Sequence, residues 1–191
     1  MSPHVNNICR GASFALRKIG KIRRYLDKST TEQLVHAFVS SKLDNNNILL
    51  TGLPSKDISK LQRIQNSAAR LVTFTKRREH ITPVLRDLHW LPVLDRIIFK
   101  ILLLTYKVRH DMAPMYLCEL LHSYVPTRTL RSSSQDLLQT PSCRTKTYGE
   151  RAFSIIAPKL WNDLPYEIRH APSINQFKNS LKTHIFHSCD L

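Results

Sequence analysis

Apolar residues recur near the start of the chain in steps of four and three: Ile8, Ala12, Ala15, Ile19, Ile22 and Leu26. That spacing places all six on one stripe of an α-helix. Arg10, Arg17, Lys21, Arg24 and Lys28 stand two residues beyond these positions or their neighbours. Two residues is roughly 200° of helical rotation, so a basic stripe backs the apolar one. Gly20 weakens this helix by about 1 kcal/mol relative to Ala. Ser29 with Glu32 and Thr30 with Gln33 make overlapping capping boxes, which predict a second helix from there to about Lys42. Leu53-Pro54-Ser55 opens a third helix, with Ile58, Leu61, Ile64, Ala68, Leu71 and Val72 inward. Lys56, Lys60, Arg63 and Arg70 take its far face.

Further on, Thr82-Pro83 reads as an N-cap followed by Pro at the first helical position. Leu91-Pro92 starts a longer helix to about Arg109, with Leu94, Ile97, Ile98, Ile101, Leu104 and Val108 inward. Ala113-Pro114 begins a short one through Leu121. Residues 123–150 are rich in Pro, Ser, Thr and Arg and read as a long loop, with room for a small hairpin between Leu137–Gln139 and Arg144–Tyr148. Helix returns at about Phe153–Asp163 and again from Ser173, where Ser173 and Gln176 form another capping box. The last helix buries Ile174, Phe177, Leu181 and Ile185. The fold class expected is all-α. Its organisation is a basic helical bundle over 1–75, a helical connection over 76–122, the loop at 123–150 and a C-terminal helical region over 151–191.

Charge sharpens this picture. The 191 residues carry 29 Lys/Arg against 14 Asp/Glu, a formal net charge of +15. Residues 1–80 hold 15 of those cations and 5 of the acids, net +10, which leaves 14 and 9, net +5, for residues 81–191. Such a surplus favours a polyanionic partner, and the N-terminal part is its electrostatic face. The 4 glycines are too few for phosphate-cradling loops, and neither GxGxxG nor GxxxxGK[ST] occurs, so no nucleotide cofactor is expected. Cys9, Cys118, Cys143 and Cys189 are scattered without a CxxC, which points to reduced thiols in a cytoplasmic or nuclear setting. The apolar run Ile97–Leu104 is broken by Lys100 and falls short of the roughly 20 residues of a membrane span. The N-terminus shows no secretory h-region. An intracellular protein, neither secreted nor membrane-bound, is the expectation.

The candidate chemistry narrows in the same direction. Two-metal phosphoryl transfer needs clustered carboxylates, yet no two acidic residues adjoin, and Asp163 with Glu167 is the one well-spaced helical pair. His184, His187 and Cys189 supply three metal-ligand types at close spacing, with Cys143 as a distant fourth. A structural zinc site needs two paired clusters, so a basic terminus without metal is the better description. Nucleic-acid binding remains the leading mechanism. Two basic-backed helices and the cluster Lys76-Arg77-Arg78 would contact phosphates and release counterions with little sequence preference. Trp90 and Trp161 sit among apolar neighbours and are expected in the core rather than stacked on bases.

Several runs together carry a family resemblance: LRKIGKIRRYL at 16–26, LVHAFVSSKLD at 34–44, LLTGLP at 49–54 and LQRIQNSAARLV at 61–72. HITPVLRDLHWLPVLDRIIFKILLLTYK at 80–107, APMYLCELL at 113–121 and RTLRSS at 128–133 continue the series. RTKTYGERAFSIIAPKLWNDLP at 144–165 and FKNSLKTHIF at 177–186 complete it. In this order the chain resembles the C-terminal part of the reverse transcriptase of LINE-type (non-LTR) retrotransposons, the jockey-like RNA-directed DNA polymerases. Asn45-Asn46 depart from the Tyr-Cys more frequent there, and Thr51 from a frequent Tyr.

The resemblance implies a thumb at about 1–75 followed by a further segment of the polymerase, without the palm and its Tyr-x-Asp-Asp motif. A chain that starts just ahead of a thumb looks like a truncated element copy. The expectation is therefore a non-catalytic fragment that grips RNA or an RNA–DNA hybrid, with the fingers–palm part of a reverse transcriptase as a second partner. Arg17, Lys21, Arg24, Lys60, Arg63 and Arg70 would be its phosphate contacts, joined by Lys76, Arg77 and Arg78. Two alternatives stand beside it: a helical protein-interaction module or inactive relic without independent nucleic-acid binding, and a polymerase that works only with its catalytic part supplied in trans.

Overall fold

A computed structural model describes residues 2–126, 135–145 and 149–188. The fold is all-α, with no strand among the described residues. The chain divides into two compact units between Ile97 and Ile98.

The first unit opens with α1 (Ser2–Ile22), which buries Val5, Ala12 and Ile19. A 3-10 turn, Arg23–Tyr25, follows. The apolar stripe ends here: Ile22, the last residue of α1, is 47% exposed, and Arg23, four residues on from the buried Ile19, is the covered side chain. The second helix, α2 (Lys28–Val35), is capped by Asp27, whose carboxylate accepts from the Thr30 N–H at 3.2 Å. The expected caps Ser29 and Thr30 therefore lie inside the helix, because Asp27 offers an acceptor two and three residues earlier. A π-turn, His36–Ser40, carries the rod into α3 (Ser41–Asp44). The wider winding changes the phase of the rod, so Val35, Val39, Ser40 and Leu43 are all covered.

The return to the next helix is compact. Asn46 takes the left-handed region (φ 52°), which Asn tolerates well, and Gly52 takes it again at φ 68°. Then α4 (Ser55–Thr73) buries Leu61, Gln65, Ala68, Ala69 and Val72. Ile58, Ile64 and Leu71, expected as core, are only half-buried, so the inward face is turned by about one residue. Its two glutamines explain the turn. Gln65 Nε2 donates to the Leu91 carbonyl at 2.7 Å, and Gln62 Oε1 accepts from the Val93 N–H at 2.8 Å. Together they seat the entry to α6 (Val93–Arg109) and satisfy one of its orphan N-terminal donors. Val93 is thereby the buried residue of that turn, and Leu94, expected inward, is 50% exposed.

Between them, α5 (Ile81–Asp87) begins at Ile81 after an extended His80. Pro83 is thus its third residue rather than its first, at a position whose N–H would have no helical partner anyway. Trp90 is buried as expected, its indole N–H donating to Glu32 Oε1 at 3.3 Å.

The second unit takes up the rest of α6 and adds α7 (Met115–Cys118), α8 (Phe153–Asn162), α9 (Tyr166–Arg169) and α10 (Ile174–Ser188). Its centre is aromatic. Tyr106 stacks on Phe177 at 4.3 Å and donates its hydroxyl to the Ala171 carbonyl, and Trp161 lies fully buried beside Phe177. The expected hairpin is not shown among the described residues, and Leu137–Gln139 pair elsewhere. Residues 122–124 meet 137–139 in a single antiparallel bridge, Ser123 with Leu138, bordered by Tyr124 N–H to Leu137 and Gln139 N–H to His122. The Asn162 amide makes both bonds to the Leu138 backbone and fixes this segment on α8. Of the other expected hairpin arm, 146–148 lie outside the described residues. The Ser173 cap is present, its hydroxyl accepting from the Gln176 N–H at 3.2 Å.

Two predictions follow from unit 1. A Cβ on Gly20 would meet Leu71 Cδ1 at 3.8 Å, an ordinary contact, so Gly20→Ala gains helix propensity without strain. Thermal unfolding should show a gain of up to about 1 kcal/mol; a lower melting temperature would contradict the seam described below. The hydrogen bonds from Thr30 hold the Asp27 carboxyl below its ordinary range. Its contribution is then present above the unfolded aspartate value of about 3.9 and is lost as pH falls through the lower folded value. Urea titrations should show the stability difference between the native chain and Asp27→Asn shrinking as the solution is acidified; a constant difference would contradict this.

Candidate nucleic-acid interface

The basic face is built on α1 and α4, which run parallel. Near their starts Lys60 Nζ reaches Asn6 Oδ1 at 3.2 Å, and near their ends Gly20 lies against Leu71. Arg23 closes the pair: its Nε donates to the Leu71 carbonyl at 2.8 Å, Nη2 to Val72 at 2.8 Å and Nη1 to its own turn at Leu26 at 2.7 Å. The Leu71 and Val72 carbonyls belong to the last turn of α4, which has no helical donors for them, and the guanidinium also meets the negative end of the helix dipole.

Both helices rest their buried residues on the α2–α3 rod. Their opposite faces consequently form one continuous surface on the far side of the seam. Arg10, Arg17 and Lys21 line it on α1, and Lys56, Arg63 and Arg70 on α4. Sequence spacing alone indicated two separate stripes; the parallel packing merges them.

The individual side chains differ in what they are free to do. Lys21 and Arg63 are exposed, and Arg17 makes only a long 3.5 Å contact to the Ser13 carbonyl. Lys60 is half-buried and engaged, paired with the buried Asp57 at 2.9 Å as well as with Asn6. Next to this pair, burial pushes the Cys9 thiol above its ordinary value, with Lys60 opposing and Asp57 reinforcing the shift. Arg70 is half-buried and donates to the Glu79 carbonyl at 3.0 Å. That bond draws the turn Lys76–Glu79 back against the end of α4. The turn is closed by the Glu79 N–H to the Lys76 carbonyl at 3.1 Å and by the Lys76 N–H to Glu79 Oε1 at 3.2 Å. Lys76, Arg77 and Arg78 are exposed on it. Arg24 is exposed and lies over the Tyr25 ring at 4.6 Å.

Three residues at this end went unpredicted. Arg23 is the structural arginine, while Tyr25 and Phe74 are exposed aromatics, 72% and 66%, among the cations. Their signal in the sequence is the interleaving of aromatic and basic residues in RRY and TFTKRR. The two tryptophans weighed for such a role are core residues, at 6% and 0% exposure.

On another side of the unit, α1 and the α2–α3 rod leave an apolar groove of about 430 Å³, lined by Phe14, Ile19, Ile22, Leu34 and Phe38 with Lys18 and Lys42. Among the described residues no group of His, Cys, Asp or Glu is placed to hold a metal ion; Cys189 lies outside them. No described helix is long and apolar enough to cross a membrane. Comparison with protein-family models, with curated proteins and with solved structures finds no match to this chain.

Arg23→Ala should cost about 2–4 kcal/mol, because it strips donors from one buried and two part-buried carbonyls, and Arg23→Lys should recover only part of it. Urea unfolding measures this; a loss below about 0.5 kcal/mol, the range of ordinary surface substitutions, would contradict the cap.

Proposed function

We propose that the chain is a non-catalytic fragment of a retrotransposon-type RNA-directed DNA polymerase whose thumb-like first unit grips the backbone of RNA or an RNA–DNA hybrid. The observation that carries this reading is the single basic face of the parallel pair α1 and α4, with Arg17, Lys21 and Arg63 exposed on it and the Lys76–Arg78 turn at its end. A flat row of cations on rigid helices suits repeating phosphates and carries no base code, so binding should be salt-dependent and tolerant of sequence. The sequence resemblance adds the thumb and the polymerase context. Within the proposed contacts, Lys60 and Arg70 act as positioning residues, the first through Asp57 and Asn6 and the second through Glu79.

A second reading, a helical protein-interaction module, is favoured by the apolar groove. Its two lysines and lack of lining carboxylates suit an apolar segment flanked by acidic residues, such as a surface of a missing fingers–palm part. The two readings separate by salt.

Binding of RNA and of an RNA–DNA hybrid, measured across a salt series, should weaken steeply as salt rises. Arg17→Ala, Lys21→Ala and Arg63→Ala together should flatten the slope by about one unit per cation removed. A folded protein that binds neither ligand, or whose slope ignores these three changes, would overturn the reading.

A further inference from the structure

Phe74 is in an unusual position for a phenylalanine. It ends α4 in the left-handed conformation, φ 57° and ψ 20°, where helices ordinarily place Gly because a bulky side chain is strained there. The strain does not serve the core, since Phe74 is 66% exposed. One face of its ring is covered by the Arg23 guanidinium, 3.9 Å from the centroid. Arg23 is in turn fixed by three carbonyls, so the ring rests against an anchored partner. Two residues from Arg23 stands Tyr25, 72% exposed, with Arg24 over its ring. The exposed Lys76–Arg78 turn begins two residues after Phe74.

We propose that Phe74 and Tyr25 form a stacking platform for unpaired nucleobases at the end of the α1–α4 basic face. The proposal rests on the nucleic-acid reading above and deepens it: the cationic face takes backbone phosphates, and the two rings take bases where a strand is not paired. Aromatic rings flanked by cations bind any base through its π-face, which explains an exposed, strained Phe where Gly would fold more easily. The ligand chemistry is therefore single-stranded RNA or the single-stranded overhang of a duplex, with no base identity selected.

The test compares an unstructured single-stranded RNA carrying 2-aminopurine with a blunt-ended RNA duplex of equal length, at one salt concentration. The full chain should quench the 2-aminopurine, and Phe74→Gly with Tyr25→Ala should abolish the quench. The same pair should weaken single-strand binding by about tenfold or more and leave duplex binding unchanged. Phe74→Tyr should restore both signals. Phe74→Gly alone should unfold in urea no earlier than the native chain, because relief of the left-handed strain offsets the lost contact with Arg23. Single-strand binding unaltered by the pair, or both ligands weakened equally, would overturn the platform while leaving the basic face standing. Absence of binding to either ligand would overturn both.

Discussion

The first unit depends on one guanidinium. Two parallel helices bring their negative dipole ends together, which is unfavourable unless a cation or donors intervene. Arg23 supplies both at that point, reaching from the turn after α1 to the last carbonyls of α4 across 48 and 49 residues of sequence. Only arginine presents several donors in one plane, so one residue can satisfy Leu71, Val72 and Leu26 at once.

From this cap the arrangement of the basic residues follows. A parallel pair needs a long crossover, and the α2–α3 rod provides it, lying along the inner side of both helices. With the rod on one side, the polar faces of α1 and α4 have only the other side to occupy. Gln62 and Gln65 complete the frame by holding the entry of α6 through two backbone bonds. The face is then a consequence of packing: cations more than forty residues apart in sequence come to one side of the unit because their apolar counterparts share one core.

Much of this was legible from the hydrophobic pattern, and the failures are physical ones. The periodicities of α1, α4, α6 and α10 gave the helices, since each buries enough apolar residues for the pattern to dominate. The phase of α4 was misread because Gln65 is buried to bond a backbone carbonyl, and polarity says nothing of that. Asp27 displaced Ser29 and Thr30 as cap because three residues within a span of four could serve and only geometry chooses. Arg23 was indistinguishable from Arg24: one is covered and the other exposed, and the difference lies in carbonyls far along the chain. The merging of two stripes into one face was invisible for the same reason, since local spacing does not tell parallel from antiparallel packing. The pairing of 122–124 with 137–139 was missed because it is a single bridge, anchored by the Asn162 side chain rather than by strand propensity.

The central claim is that one surface, shared by α1 and α4, meets the nucleic acid. Lysine acetylation footprinting on the full chain with and without RNA tests it most directly. Lys21, Lys56 and Lys76 should be protected together, while Lys42, at the apolar groove, and Lys159 and Lys182 in the second unit keep their reactivity. Protection of Lys42 or of the second unit's lysines, with Lys21 and Lys56 unchanged, would place the contact elsewhere and contradict the account.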